Sequence, residues 1–512
     1  RQLSRHRRFQ SALWSLFAAS PSPHGGEGRD MLVCRCEAVS LSTLRTTIAT
    51  HAVSDVATLK RLTRAGMGRC QGRYCAPVLR ALVGAPQTEA ALPAPQMPVR
   101  PVALSALAVQ KPEWGGHRRV MLPDRVLSPG PPLPVREAAT VVIGAGIAGL
   151  STALFLAREG HDVVVLDRGP VNAGASGGNA GSLHAQLLSF DHGARAEAGG
   201  GPAARTLPLQ RDSIALWQSL EAELELDFEL AITGGLMVAE TERDLAFLAA
   251  KTAVERAQGI DCDIIGHNDL RRLEPALDPR FVGAAFCPQE GKINPLVATE
   301  GIHRAALAAG ARVITGVEVR SIARGTSGFS LATNRGEIRA GRVVNAAGAF
   351  ASRIGTMLGV DVPVHGAPLQ MIVTEPAEPL ISRLVAHADR HLTLKQAGNG
   401  AFIIGGGWTA SLDPVRQHPR PLRDSIEGNL WVAQHVVPGL RKLHVLRSWA
   451  AMNINIDGAP ILGEHPGLPG FFTCVTSNGY TLGPIMGRTT AAIILHGDAG
   501  RDLTPFSIAR FD

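Results

Sequence analysis

The chain is 512 residues long, 45% apolar and 19% charged, which is too long for one compact core and predicts two or three domains. No run of eighteen or more apolar residues occurs, so no transmembrane helix is expected. The net charge of +7 is concentrated in residues 1–80, with thirteen Lys/Arg against four Asp/Glu. No aromatic–basic stacking pattern accompanies it, so the basicity points away from nucleic acid, toward an acidic redox partner or compensation of a negatively charged centre.

Residues 1–30 open on "RQLSRHRRFQSALWSLFAAS", basic and then apolar around Trp14 and Phe17, as a leader would be. The preferred reading is that "SPSPHGGEGRD" (20–30) is disordered or non-native, with Met31 as the start. Residues 31–85 predict a small helical module: "SLSTLRTTIATHAVS" and "SDVATLKRLTRAG" have helical texture, with Ser40, Ser42 and Ser54 as candidate N-caps. Into this module fall four of the seven cysteines, Cys34, Cys36, Cys70 and Cys75, spaced C-x-C-x33-C-x4-C. Zinc sites ordinarily use pairs two to four residues apart. A [2Fe–2S] cluster needs two thiolates on each iron and suits two separated pairs. Arg35, Arg69 and Arg73 flank the thiols and would offset the cluster's negative charge. Zinc or a redox disulfide pair remains the alternative. Cys262, Cys287 and Cys474 are isolated in sequence and read as ordinary buried or free thiols.

Residues 86–137 are Pro-rich and predict an extended linker. From 138 to 512 the texture is α/β. "TVVIGAGIAGLSTALFLAREGHDVVVLDRG" reads strand, glycine turn, helix, strand, with continuous apolar runs as in parallel strands buried on both faces. Gly144, Gly146 and Gly149 form G-x-G-x-x-G: the first permits the tight turn, the second lets a pyrophosphate approach, the third lets helix pack on strand. Asp167 closes the next strand twenty-three residues after Gly144, where a carboxylate accepts ribose hydroxyls of an adenine dinucleotide.

Four further stretches carry a resemblance. "GASGGNAGSLH" (174–184), "GRVVNAAGAFASRIGTMLGV" (341–360), "IDGAPILG" (456–463) and "SNGYTLGPIMGRTTAAII" (477–494) resemble, in order, the flavin-contacting segments of the D-amino-acid oxidase/glycine oxidase superfamily. The resemblance implies FAD on a Rossmann-like (GR2-type) α/β domain with an interleaved α+β substrate domain. The FAD-binding parts would be about 138–205, 310–360 and 450–505, and the substrate parts about 206–309 and 361–449. It also implies the FAD contacts: Gly144, Ala145, Gly146, Ile147, Ala148, Gly149, Asp167 and Arg168 from the first unit; Ser176, Gly178, Asn179, Ala180 and Gly181 from the second loop; Val319, Ala347 and Gly348; and Gly479, Tyr480, Thr481, Leu482 and Gly483. The final helix, opened by "GPIM", would aim its N-terminal N–H groups at the pyrimidine end of the flavin. "VCRCE…GRCQGRYC" resembles the bacterioferritin-associated-ferredoxin-like [2Fe–2S] domain and implies a cluster held by the four cysteines.

The pairing of the two modules resembles opine oxidases, hydroxyproline dehydrogenases and hydrogen-cyanide synthase. It implies a dehydrogenase that oxidises the C–N bond of an amino acid or N-substituted amino acid and passes single electrons onward. The acceptor would be a quinone or redox protein, and a further chain in a hetero-oligomer is possible. An O2-using oxidase with a structural cluster, or a non-catalytic electron carrier, is the alternative; the expected location is cytoplasmic, with association at the membrane as the variant. In the superfamily an arginine after "W-A-G" clamps the substrate carboxylate; here "RSWAAMNINIDG" places Asn453 there, leaving Arg447 or Lys395 for the role. His184, Gln186 and Tyr480 are further pocket candidates, and Met452 reads as pocket wall or core.

Overall fold

The described residues of the computed structural model are 2–16, 30–85, 96–112, 119–122, 126–413, 415 and 418–511. Phe17 and most of the presumed disordered stretch, together with 86–95, 113–118 and 123–125 of the expected linker, lie outside them. The chain parts into two compact units, one up to Arg100 and one from Pro101 onward. No described helix is long and apolar enough to cross a membrane.

In the first unit, helices Leu41–His51, Val56–Thr63 and Ala76–Leu82 close on Leu44, Val53, Leu59, Ala65 and Leu79, with Cys34 and Cys75 in the same core. Ser40 caps the first helix by accepting from Thr43 N at 3.2 Å. The second is capped by Asp55, which accepts from Thr58 N at 2.8 Å, and not by Ser54. Asp55 holds the extended backbone just before the first helical residue, and Ser54 stands one position too early. Ser42 lies inside the first helix.

The second unit is built on two large sheets. One runs Arg312–Thr315, Val163–Asp167, Glu137–Ile143, Gly336–Asn345, Gly328–Thr333, Val319–Gly325, with Phe471–Val475 also pairing parallel to the end of Gly336–Asn345. Val141–Ile143, Val163–Leu166 and Val343–Val344 in its central strands form continuous apolar runs because both faces are covered there. Val142, Val163 and Val165 join one core, while Val141, Ile143, Val164 and Leu166 join the other.

The second sheet has nine strands, and its interior runs His444–Asn455, His365–Pro376, Ala401–Gly405, Thr393–Gln396, Leu384–His387, Gly235–Ala239, Gly283–Cys287. Alternation divides it cleanly. Ile372, Ile404, Leu394, Val385, Leu236 and Val238 face a dry core closed by helix Arg423–Val436. The registers Arg447↔Val373↔Ile403↔Lys395 and Asn453↔Ala367 put those residues on the opposite face.

Candidate active site and cluster site

The glycine turn sorts its three glycines by what surrounds them. Gly144 has φ +116°, and a Cβ there would run into the Ala346 carbonyl; a Cβ on Gly149 would overlap the Gly144 carbonyl. These two are fixed by the backbone itself. Gly146, which precedes helix Ile147–Arg158, meets only Ser176 Oγ, at 3.1 Å. Gly348 (φ +54°), Gly174 and Gly479 have nothing within 4 Å of where a Cβ would be. Bare backbone beside open space at Gly174, Gly348 and Gly479, with Gly146 crowded only by one hydroxyl, is what a dinucleotide cradle needs, and the residues present fit FAD.

Asp167 accepts from Ala145 N and Gly169 N, both at 2.7 Å, and burial pushes its carboxyl above the usual range. Ser176 Oγ accepts from Ile147 N at 3.0 Å, tying the second loop to the start of the helix. Ala145 and Val319 are buried, and Ala148 and Ala347 pack partly buried against the two cores. The Arg168 guanidinium lies 4.9 Å above the Phe350 ring. In the second loop, Asn179 Oδ1 accepts from Gly181 N at 2.6 Å and Ala180 is buried. Gly178 O accepts from Trp449 Nε1 at 2.9 Å, and a Cβ on Gly178 would collide with that of Ala451. Trp449 and Ala451 share their sheet face with Asn453 and Arg447, so this face packs on the loop. Lys395 arrives from the same face: its Nζ stands 2.9 Å from where a Gly181 Cβ would be. That Nζ is buried with no hydrogen-bond partner, and burial holds its pKa well below the usual lysine range. Met452 has the other parity and packs toward the core of the first sheet.

The final helix spans Gly479–His496, beginning four residues before the expected "GPIM". Pro484 therefore sits in its second turn. Thr481 Oγ1 accepts from His184 N at 3.2 Å, and Leu482 is buried. Gly483 packs on Ile147, where a Cβ would stand 2.8 Å from the isoleucine. The Tyr480 side chain departs from the pocket expectation. Its hydroxyl donates to Pro295 O at 3.1 Å and lies 3.1 Å from Thr299 Oγ1, and its ring stacks on Trp217 at 5.6 Å. That side chain is core, because a phenol with a fully satisfied hydroxyl packs well between helices.

His184 and Gln186 lead to residues that the sequence did not single out. His184 Nδ1 lies 3.4 Å from Glu290 Oε1, and Gln186 Nε2 donates to Glu290 Oε2 at 2.9 Å. Gln186 Oε1 accepts from Lys251 Nζ at 3.1 Å, and Lys251 pairs with Glu255 at 2.6 Å, both fully buried. Cys262 and Cys287, isolated in sequence, touch each other across neighbouring strands. The contact and burial push the Cys262 thiol upward, and both cysteines are fully buried packing residues. Cys474 is buried against the hydroxyls of Thr490 and Thr152.

In the first unit the four thiols stand as two contacting pairs, Cys34 with Cys75 and Cys36 with Cys70. Gly66 N donates to Cys34 Sγ at 3.4 Å. The Cys75 contact draws the Cys34 thiol down to about 6, and the same contact pushes Cys75 up. Among the described residues no three His, Cys, Asp or Glu side chains converge on one point, as a mononuclear zinc site requires. Two separated thiol pairs fit a centre with two protein ligands per iron.

Residues 139–493 match the family described as FAD dependent oxidoreductase (DAO), and residues 32–85 match the BFD-like [2Fe-2S] binding domain. The chain is 28% identical to glycine oxidase of Geobacillus kaustophilus over 377 residues, 72% of this chain and 96% of the relative. It is 27% identical to one of the subunits of opine oxidase from Rhizobium meliloti over 386 residues, 73% of this chain and 98% of the relative. The crystal structure of glycine oxidase from Geobacillus kaustophilus superposes with a TM-score of 0.65 at 25% identity, covering 73% of this chain and 99% of that one. The dinucleotide cradle, the paired thiols and these matches agree: the chain belongs to the DAO family of FAD-dependent oxidoreductases and carries a BFD-like [2Fe–2S] binding domain ahead of its flavin domain.

Proposed function

We propose that this protein is an amine dehydrogenase that oxidises the C–N bond of an amino acid or N-substituted amino acid to an imine and sends the electrons on through its cluster. The observation that carries this reading is the presence, in one chain, of a flavin cradle and a one-electron centre. FAD, when bound, supplies an acceptor for the hydride on the carbon next to nitrogen, and the cluster supplies a one-electron exit.

The chain's own residues bind and orient the amine. The sheet face bearing Trp449, Ala451 and Asn453 lies over the second loop and forms the wall against which a substrate would rest. Asn453 offers an amide in place of a carboxylate clamp. Arg447 and Lys395 are the cations on that face, and Lys395, desolvated and unpartnered, is the one whose charge a carboxylate would restore. His184 stands where the second loop meets the final helix, its N–H on Thr481 Oγ1 and its Nδ1 against Glu290. Residues 31–85 act as the cluster module and 138–512 as the flavin domain; of the expected linker, Val102–Ala103 joins the nine-stranded sheet and Leu104 and Leu133 are buried in the second unit's cores. Several relatives are named as subunits of opine oxidase or of sarcosine oxidase, which supports assembly with a further chain.

Anaerobic mixing with glycine, sarcosine, prolines, D-amino acids and opines tests the reading, with flavin absorbance and EPR followed together. Bleaching plus a reduced-cluster signal supports it and identifies the amine class. Bleaching without that signal, followed by fast reoxidation in air, favours an O2-using oxidase, as the name of the glycine oxidase relative suggests. No bleaching by any amine removes the proposal.

A further inference from the structure

The two-residue strand Ser182–Leu183 pairs antiparallel with Gly291–Lys292 in the register Leu183↔Gly291, which sets His184 opposite Glu290. Glu290 is 3% exposed, yet its carboxylate is fully engaged. Oε1 accepts from Ala185 N at 3.0 Å and Gln186 N at 3.1 Å and faces His184 Nδ1; Oε2 accepts from Gln186 Nε2. Every one of these donors comes from the tripeptide His184–Ala185–Gln186. The site is made possible by Gly235, where any Cβ would overlap the Glu290 carboxylate. Burial works against the charged form here, but the donors from His184 and Gln186 prevail and hold the carboxyl below the usual range. His184 keeps 14% of its side-chain surface, and its Nε2 has no protein partner among the described residues.

We propose that Glu290 is a positioning residue that fixes His184 with its proton on Nδ1, so that His184 Nε2 accepts the proton an amine substrate sheds before its C–H bond is broken. This rests on the amine reading above. Amines with a free carboxylate are ammonium ions at neutral pH, and an ammonium nitrogen has no lone pair to drive hydride departure. The N–H bond of the ammonium breaks, an Nε2–H bond forms on His184, and the electron pair of the broken bond stays on the substrate nitrogen. No oxidant is consumed in this step. The Glu290 carboxylate stabilises the resulting imidazolium, as a buried carboxylate does for a histidine held through Nδ1.

Other charges also act on the pair. Asp191, in the turn Ser189–Asp191, is half-buried and feels His184, His391 and Lys251. Glu255, on helix Glu242–Ala257, opposes Glu290 less closely, being paired with Lys251.

A plain structural role for Glu290, pinning the backbone of 185–186, is separable because glutamine can still accept from both N–H groups. The experiment compares wild type, Glu290→Gln, Glu290→Asp and His184→Gln as flavin- and cluster-loaded proteins. Flavin reduction by the best amine is followed anaerobically from pH 5 to 10, and histidine ring nitrogens are titrated by 15N NMR without substrate. Glu290→Gln should move the acid limb of the rate profile to lower pH and lower its plateau by about 10-fold, with Glu290→Asp recovering part of it. His184→Gln should remove the limb and cost roughly 100-fold at the plateau, in the range of general-base catalysis. The 15N spectra should show a single Nδ1-protonated tautomer for His184 in wild type and a tautomer mixture in Glu290→Gln. A Glu290→Gln rate profile superimposable on wild type overturns the proton-transfer role. An unchanged tautomer overturns the positioning role, even where wild-type flavin is bleached by no amine and the functional reading itself has failed.

Discussion

The Trp217 indole N–H donates to the Tyr480 carbonyl at 3.0 Å, and that carbonyl is the one Pro484 leaves without a helical partner. In an unbroken helix the N–H of residue 484 would bond Tyr480 O; proline has none. The tryptophan replaces the missing bond from another helix, Leu207–Leu224, and stacks on the Tyr480 ring as well. Trp217→Phe should therefore cost about 1–3 kcal/mol, the penalty of an unsatisfied buried carbonyl, seen as a lower thermal midpoint. Adding Pro484→Ala returns a backbone donor, and the double variant should regain at least about 0.5 kcal/mol over additivity. Strict additivity would show that Trp217 acts by packing alone.

Gly144, Gly146 and Gly149 should fail in different ways when changed to alanine. Gly144→Ala and Gly149→Ala place a Cβ against backbone carbonyls and should yield little folded protein. Gly146→Ala meets only Ser176 Oγ and should fold with a normal circular dichroism spectrum while binding FAD about 10-fold or more weakly. Flavin absorbance per mole of purified chain reads the difference. Full flavin content in Gly146→Ala would move the pyrophosphate away from this turn.

Asp191 makes stability depend on pH. Burial raises its pKa from an ordinary 3.8 to about 6 in the folded protein. A carboxyl raised on folding contributes its stability below the unfolded value and loses it as pH rises through the folded one. Stability should thus fall by on the order of 3 kcal/mol between about pH 4 and 6. Asp191→Asn should flatten that slope, melting above wild type at pH 7.5 and close to it at pH 4. Parallel slopes would place the titration elsewhere.

On the proposed function, Lys395 combines a stability cost with a binding role. Its unpartnered buried amine is replaced without loss of volume by methionine, so Lys395→Met should melt at a higher temperature at pH 7. The same variant should raise KM for carboxylate-bearing amines roughly 10–100-fold, the worth of one charge-assisted hydrogen bond. A raised melting point with unchanged KM would pass the clamp to Arg447.

The four cysteines stood out by spacing as candidate ligands, although their contacts, Cys34 with Cys75 and Cys36 with Cys70, join segments far apart in the chain. The glycine turn and the second loop were legible in the sequence because each is a short local pattern. Glu290 was not: it lies more than one hundred residues from His184, and only the register of two very short strands brings them together. Tyr480 misled for a related reason. It sits inside a flavin-type segment, but a helix that starts at Gly479 turns its side chain toward Trp217 and leaves Thr481 to meet His184. The contact of Cys262 with Cys287 likewise depends on strand register and not on spacing. The substitution of Asn453 for the expected arginine was readable at once, whereas Lys395 became the better cation only when its burial and its nearness to Gly181 were known.

Because successive residues along these strands of the nine-stranded sheet alternate between the loop side and the dry core, the proposed recognition face is separated from the larger hydrophobic layer, with the small cluster of Val373, Ala401 and Leu446 on the loop side. A library confined to positions such as 371, 395, 403 and 453 would explore new amines while leaving the hydrophobic layer beneath untouched. The same number of changes at 372, 394 and 404 would mostly explore ways to unfold. Strand alternation thus gives this scaffold a built-in partition between retuning and failure, and a mutational scan should show it as a period of two in tolerance along each strand.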